Sequence, residues 1–164
     1  MATQKATNIT AFDTTPPSVV DSKTANGYER VIFDTIEATA LSVSDVVILA
    51  RVPVDALLSS VLLATDDLGT TGVLDLGYYK KNADGTYTAV DSNNLASSLD
   101  VNTAAVAFTE RRYSAHNIDT VQKKVWELAG LSARPSYDHM YIALTATTAT
   151  TATGTISIIV KYTC

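Results

Sequence analysis

Two histidines, one cysteine and seventeen carboxylates are the side chains of this sequence best suited to move protons, attack a carbonyl or hold a metal. Their spacing does not assemble them. His116 sits in the polar run from Glu110 to Asp119 and His139 stands well apart from it. Neither belongs to a set of ligating residues, so both read as surface histidines. Cys164 is the last residue, with no positioned base evident to make it a nucleophile. Asp66 and Asp67 are adjacent carboxylates that a hard cation such as calcium could use, but such an ion takes six to eight oxygens and two fall short of that set. The G-x-S-x-G elbow, H-E-x-x-H, the P-loop and the dinucleotide glycine fingerprint are absent. Many carboxylate pairs of the kind used in glycoside hydrolysis can be drawn, and no spacing singles one out. The expectation is a protein that is not an enzyme, with no cofactor and no metal.

The elements that would have to position any site point the same way. At 164 residues the chain is expected to form one domain, and 46% apolar residues suffice for a real core. Thr, Ala, Val and Ser abound while Glu, Lys and Arg are scarce, which favours strands over surface helices. The net charge is −5, from 12 basic and 17 acidic residues. Within residues 1–30, Lys5, Lys23 and Arg30 balance Asp13, Asp21 and Glu29, so the acidic excess lies in the body. An acidic body argues against wrapping nucleic acid, whose phosphates need Lys and Arg. The pairs Lys80-Lys81, Arg111-Arg112 and Lys123-Lys124 are not interleaved with aromatics and read as solvated strand or loop positions. A lone thiol fits a reducing compartment. Met1 to Thr15 has no apolar core of a signal peptide, and no window reaches eighteen apolar residues. A soluble protein made in a cytoplasm, away from membranes, is expected.

Val46 to Lys80 holds three apolar runs. Val46–Ala50 suits a strand buried on both faces, and Pro53 suits a turn before the next strand. Leu57–Ala64 fits two patterns. Leu57, Leu58, Val61 and Leu62 follow a helical stripe with Asp55 as N-cap, while Leu57, Ser59, Val61 and Leu63 alternate as in a strand. Strand is preferred, because β elements flank it. Residues 66–72 are turn chemistry, after which Leu74, Leu76 and Tyr78 share one strand face and Asp75 and Gly77 the other. Asp84-Gly85 marks a hairpin, and Asp91–Asn94 a break. A short helix over Leu95–Leu99 and a strand over Ala104–Thr109 follow. Thr120–Gly130 is open between a helix, with a capping-box pattern at Asp119–Gln122, Val121, Val125 and Leu128 in a stripe and Gly130 at its end, and a strand with Trp126 and Leu128 on one face. Met140, Ile142 and Leu144 alternate as a strand, as do Ile156, Ile158, Val160 and Tyr162. The Thr/Ala run 145–153 with Gly154 reads as a long hairpin joining these two strands.

Residues 1–29 read as an extended arm and 30–164 as the body. The arm is polar and Thr-rich, lacks a hydrophobic period, and holds Pro16-Pro17, which favours polyproline II. Ile9, Phe12, Pro16, Pro17, Val19 and Val20 are the positions able to anchor it on a neighbour. An idle tail is the equally simple reading of the same residues.

Ala64–Tyr78 (ATDDLGTTGVLDLGY), Val125–Ser132 (VWELAGLS) and Ala152–Tyr162 (ATGTISIIVKY) carry a resemblance to small structural proteins of tailed bacteriophages, of the kind that decorate or cement the head. The resemblance implies an all-β, jelly-roll-like β-sandwich with an extended N-terminal arm, and it tips 120–130 toward strand. It implies a capsid decoration (cement) protein on the virion exterior, made in the bacterial host cytoplasm. Its implied partners are the major capsid protein and further copies of itself, as a dimer or trimer, with no nucleic acid and no membrane. It transfers no active-site residue, since the matching stretches contain none. A receptor- or glycan-binding module of a tail or head fibre is the alternative, with Tyr78, Tyr79, Tyr87, Tyr113 and Trp126 as a stacking surface.

Overall fold

The computed structural model describes residues 28–102, 104–112 and 117–164. Eight strands make up most of it: β1 (Glu29–Ala38), β2 (Val46–Pro53), β3 (Leu57–Thr65), β4 (Val73–Lys81), β5 (Tyr87–Asp100), β6 (Val106–Glu110), β7 (His139–Thr148) and β8 (Gly154–Thr163). A 3-10 turn at Ile118–Thr120 and a one-turn helix, α1 (Val125–Leu128), interrupt them. The strands form two four-stranded antiparallel sheets in the orders β1-β8-β3-β6 and β2-β7-β4-β5. First pairs with last, second with seventh, third with sixth and fourth with fifth. This is a long hairpin rolled up into two layers, a jelly-roll β-sandwich. Successive strands mostly change layer, so Val46–Lys80 supplies strands to both.

The core lies between the layers. Val61, Leu63, Ile156, Ile158 and Val160 meet Val52, Leu74, Leu76, Tyr78, Met140, Ile142 and Leu144 from the opposite sheet. The alternations in β7 and β8 and the face shared by Leu74, Leu76 and Tyr78 stand as expected. The turn at Pro53 does too, with Ala56 N–H donating to its carbonyl at 3.2 Å. The β4–β5 hairpin turns at Gly85 (φ +88°).

Residues 57–65 are a strand, and the structure explains their double pattern. A bulge lets Leu58 pair with Tyr162 and Ser60 with Lys161, leaving Ser59 extra. Leu58 and Val61 therefore both point inward at helical spacing, and Leu58, not Leu57, is the buried one. A second bulge at Leu49 in β2 brings Leu49 and Ala50 inward together. The run of apolar residues there reflects this kink, for Val46 is 39% exposed and Ile48 half-buried, which corrects the expectation of burial on both faces.

Three further expectations are corrected. Leu95–Leu99 is not helical but lies in β5, and Asp91–Asn94 belongs to the same strand. Tyr78 pairs with Asp91 and Leu76 with Ala96, so residues 92–95 bulge past Gly77 and carry Leu95 into the core. A further kink is held by Ser98 N–H donating to Asp75 Oδ1 at 2.7 Å, with Ser98 at φ +54°. Residues 120–130 form no strand. α1 buries Val125 and Leu128, Glu127 reaches back to Lys124 N–H at 2.8 Å, and Gly130 (φ +76°) ends the helix. Gly130 N–H donates to Glu127 and Leu131 N–H to Trp126, a Schellman ending. Finally, β7 and β8 form no hairpin, since they lie in different sheets. The Thr/Ala run crosses between layers, and Gly154 opens β8, where a Cβ would lie 2.8 Å from the Leu68 side chain.

Asp55 does not cap a helix. It sits in the β2–β3 turn and accepts Arg134 Nε at 2.7 Å and Lys124 Nζ at 3.1 Å, tying α1 and the loop after it to the body. Arg134 first and Lys124 second hold its carboxyl below the usual range. A carboxyl depressed in the folded state stabilises it above the unfolded pKa and loses that contribution as pH falls through the folded one. The side chain remains 34% exposed, so the contribution is about 1 kcal/mol or less. Asp55→Ala is therefore expected to lower the melting temperature at pH 7 by a few degrees. The gap to wild type should narrow as pH falls below about 4 and through the lowered folded-state range, as followed by circular dichroism melts.

Candidate interaction surface

Among the described residues, chemistry-bearing side chains do not converge. Among the described residues, no group of three or more His, Cys, Asp or Glu could hold a metal ion, and no helix is long and apolar enough to cross a membrane. Asp67 Oδ1 accepts Gly69 N–H at 2.8 Å and Asp66 Oδ2 accepts Thr155 N–H at 3.0 Å, so both carboxylates cap backbone. His139 Nδ1 lies 3.0 Å from Arg51 Nη2 at the start of β7. Cys164 is an exposed free thiol. His116 and Tyr113 lie outside the described residues, as do Ile9, Phe12, Pro16, Pro17, Val19 and Val20.

Among the described residues, the tyrosine and tryptophan surface is not assembled. Tyr78 is fully buried between the sheets, and this burial pushes its hydroxyl well above the usual tyrosine range, Arg112 partly opposing it. Tyr79 is also buried and hydrogen-bonds Thr145 across the strands. Trp126 packs half-buried against the core from α1, and Tyr87 stands edge-on to Tyr141, ring centres 5.1 Å apart. Arg112 corrects the reading of the basic pairs as solvated. It is wholly buried, with its N–H donating to Glu110 Oε1 at 2.7 Å and its guanidinium to the Thr120 carbonyl at 2.8 Å. Glu110 also takes Val61 N–H at 3.0 Å and the Ser60 hydroxyl. These bonds moor the segment after β6 to β3.

What the body does present is an apolar outer face and one tightly built end. Because Ile156, Ile158 and Val160 point inward, Ile159 points out, as the sequence pattern indicated. It pairs with Phe33 on one side and Leu62 on the other, giving an apolar row across β1, β8 and β3. Phe33 is 72% exposed and Phe108, from β6, is 51% exposed; together with Ile159 they line a shallow groove of about 310 Å³. Polar residues rim it, with Thr35 and Ser157 hydroxyls 2.9 Å apart. Exposed aromatic residues in a polar rim are the anatomy of a protein-binding surface. Sequence pattern alone could flag Ile159 as outward, but only the register unites it with Phe33 and Leu62.

The end formed by residues 39–45, 66–72 and 149–154 is held by the Thr/Ala run. Thr150 exchanges bonds with Leu41 on both sides: its hydroxyl accepts Leu41 N–H at 2.7 Å, and its own N–H donates to the Leu41 carbonyl at 2.9 Å. Thr151 Oγ1 accepts Thr70 N–H at 3.0 Å, Thr71 Oγ1 donates to Ala149, and Thr147 Oγ1 to Val73. The repeat that read as low complexity is a set of hydroxyls spaced to lace three loops together.

Two solved structures share this architecture. A chain from the capsid of Ralstonia phage GP4 superposes with a TM-score of 0.59 at 20% identity, over 84% of this chain and 84% of that one. The fold is that of phage capsid chains. A chain from the cyanophage Pam1 capsid asymmetric unit superposes with a TM-score of 0.51 at 16% identity, over 84% of this chain and 85% of that one. No protein-family model and no curated protein sequence matches the chain. At these identities the likeness is one of fold, and it agrees with the jelly-roll-like sandwich that the phage resemblance implied.

Proposed function

We propose that this chain is a non-enzymatic structural protein of a phage virion, a decoration protein that binds the lattice of the major capsid protein and stabilises the head. One observation carries the reading: the complete two-layer jelly roll is shared, over most of both chains, with chains of two phage capsids. A sandwich with an apolar outer face and a laced loop end is a stiff body for contacts on a lattice, and a polar arm can extend those contacts to neighbouring subunits. In this reading residues 1–29 reach the neighbours, with Ile9 and Phe12 among the anchors, and one loop end seats on the shell. The acidic body suits the outside of a DNA-filled head, where it is not asked to neutralise phosphate. A dimer or trimer lets the symmetry of the protein meet that of the lattice.

The test is co-sedimentation of the purified protein with expanded, empty capsids of its own phage. Saturable binding at a fixed copy number is the expected result. A protein that stays in the supernatant at every concentration overturns the reading.

A further inference from the structure

β1 is an edge strand with neither a proline nor a bulge to blunt it. All ten of its residues pair with β8 without a register shift, and no described residue covers its far edge. Such an edge presents unpaired N–H and C=O groups and is a template for another strand. Its side chains are exposed on both faces. Val31 (42%) and Phe33 (72%) stand on the outer face; on the inner face Ile36, which pairs with the buried Ile156, is 42% exposed and Ile32 is half-buried. A cleft of about 340 Å³ opens beside the strand, lined by Ile32, Asp34, Ile48, Arg51 and Tyr141 among others. Charges of both signs are interspersed, with Glu29, Arg30, Asp34 and Glu37 all exposed.

In one register β1 is complementary to a second copy of itself. When two antiparallel copies meet across a two-fold axis at Ile32, Arg30 lies opposite Asp34 of the second copy, and Asp34 opposite its Arg30. Residues directly opposite share a face, so Val31 meets Phe33 on the outer side. On the inner side Ile32 meets Ile32, and Tyr28 meets Ile36. Other registers are worse. An axis at Phe33 sets Glu29 against Glu37, an axis at Asp34 sets that carboxylate against itself, and an axis at Arg30 does the same to the guanidinium. An axis at Val31 or Thr35 sets Asp34 opposite Tyr28 or Ile36. Charge complementarity thus selects Ile32. We infer that two copies of this chain pair β1 with β1 about this axis, joining two four-stranded sheets into one of eight. The outer apolar row then runs from Leu62, Ile159 and Phe33 onto Val31 of the second copy, and back by symmetry. Main-chain bonds of the added ladder supply affinity, and the charges fix the register. The contact presents the same patch on both copies, so it closes at a dimer. It gives the dimer of the proposed reading a surface, but it concerns the free protein, and its failure leaves the lattice role standing.

Sedimentation velocity on the full-length protein, without capsids, tests it. A dimer is expected at micromolar concentration. Arg30→Asp sets two aspartates opposite each other at both charge pairs, and Asp34→Arg sets two arginines there, so each should weaken association at least about tenfold. Arg30→Asp combined with Asp34→Arg restores opposite charges in the same register and should recover wild-type association. Cysteine trapping reads the register directly. In a Cys164→Ser background, Ile32→Cys places a thiol on the axis facing its own counterpart and should give a covalent dimer on a non-reducing gel. Ile36→Cys, on the same face of the same strand, lies about 27 Å from its counterpart along the ladder and should stay uncrosslinked. A monomer at every concentration overturns the inference, and so does a trimer. A dimer that the single reversals leave unchanged overturns it, as does a folded charge swap that stays monomeric. Equal cross-linking of Ile32→Cys and Ile36→Cys overturns it as well, by placing the contact on another surface or in another register.

Discussion

Deleting residues 2–28 is expected to abolish binding to expanded capsids while leaving a folded β body. Both described sheets and the core between them are built from β1 onward, so the circular dichroism spectrum and cooperative melting should persist. Binding should not. An anchor such as Ile9 or Phe12 contributes about 1.5–3 kcal/mol when fully buried. Ordering the arm on the shell offsets part of that gain. A net loss of about 3 kcal/mol weakens binding roughly a hundredfold, enough to clear the pellet in a sedimentation assay at micromolar protein. Ile9→Ser with Phe12→Ser should give most of the same loss, because these are the largest apolar side chains of residues 2–27. If the truncated protein pellets with capsids at wild-type occupancy, the arm is not the binding element, and Phe33, Phe108 and the laced loop end become the surfaces to mutate.

Gly77→Ala is expected to cost about 3 kcal/mol or more, and to lower the melting temperature by about 10 °C. Gly77 lies in the middle of β4 opposite the bulge of residues 92–95. A Cβ there would be driven into the backbone of β5, at the Asp91 carbonyl oxygen and the Ser92 carbonyl group. Backbone held in a ladder on either side of the bulge cannot swing away as a side-chain tip can. Gly85→Ala is the control. It meets nothing within 4 Å, and its cost is the left-handed φ of +88°, about 1–2 kcal/mol. Urea titrations of both variants measure the difference. A Gly77→Ala protein within about 1 kcal/mol of wild type would mean that the two strands do not approach each other this closely.

The surface features that bear on function were legible to different degrees. The phage resemblance rested on residues 64–78, 125–132 and 152–162, and the structure gives all three stretches packing roles. Asp66 and Asp67 cap loops, Val125 and Leu128 close the core, and Gly154 lets β8 pass Leu68. The apolar row of the outer face was not legible. Phe33, Leu62 and Ile159 come from three distant segments, and nothing local marks them as neighbours.

By itself the sequence determined which residues of most strands face inward, because side chains alternate with a strict period of two and burial selects one set. It determined turns whose chemistry is local, such as Pro53 and Asp84-Gly85. Only the tertiary structure decided which strands pair. β7 and β8 are consecutive, and both alternate cleanly, yet they enter different sheets, β7 between β2 and β4 and β8 between β1 and β3, with Thr150 and Thr151 bonding Leu41 and Thr70 where the chain crosses. It also decided the phase of β2, β3 and β5, where one or more extra residues break the period, so that Leu58 and Val61 resemble a helix while lying in a strand. The same holds for the buried Arg112, whose backbone N–H donates to a carboxylate two residues back and whose guanidinium donates to a carbonyl eight residues on. Periodicity records the environment of each face, whereas pairing and bulges answer to contacts between segments that the chain brings together only when it folds.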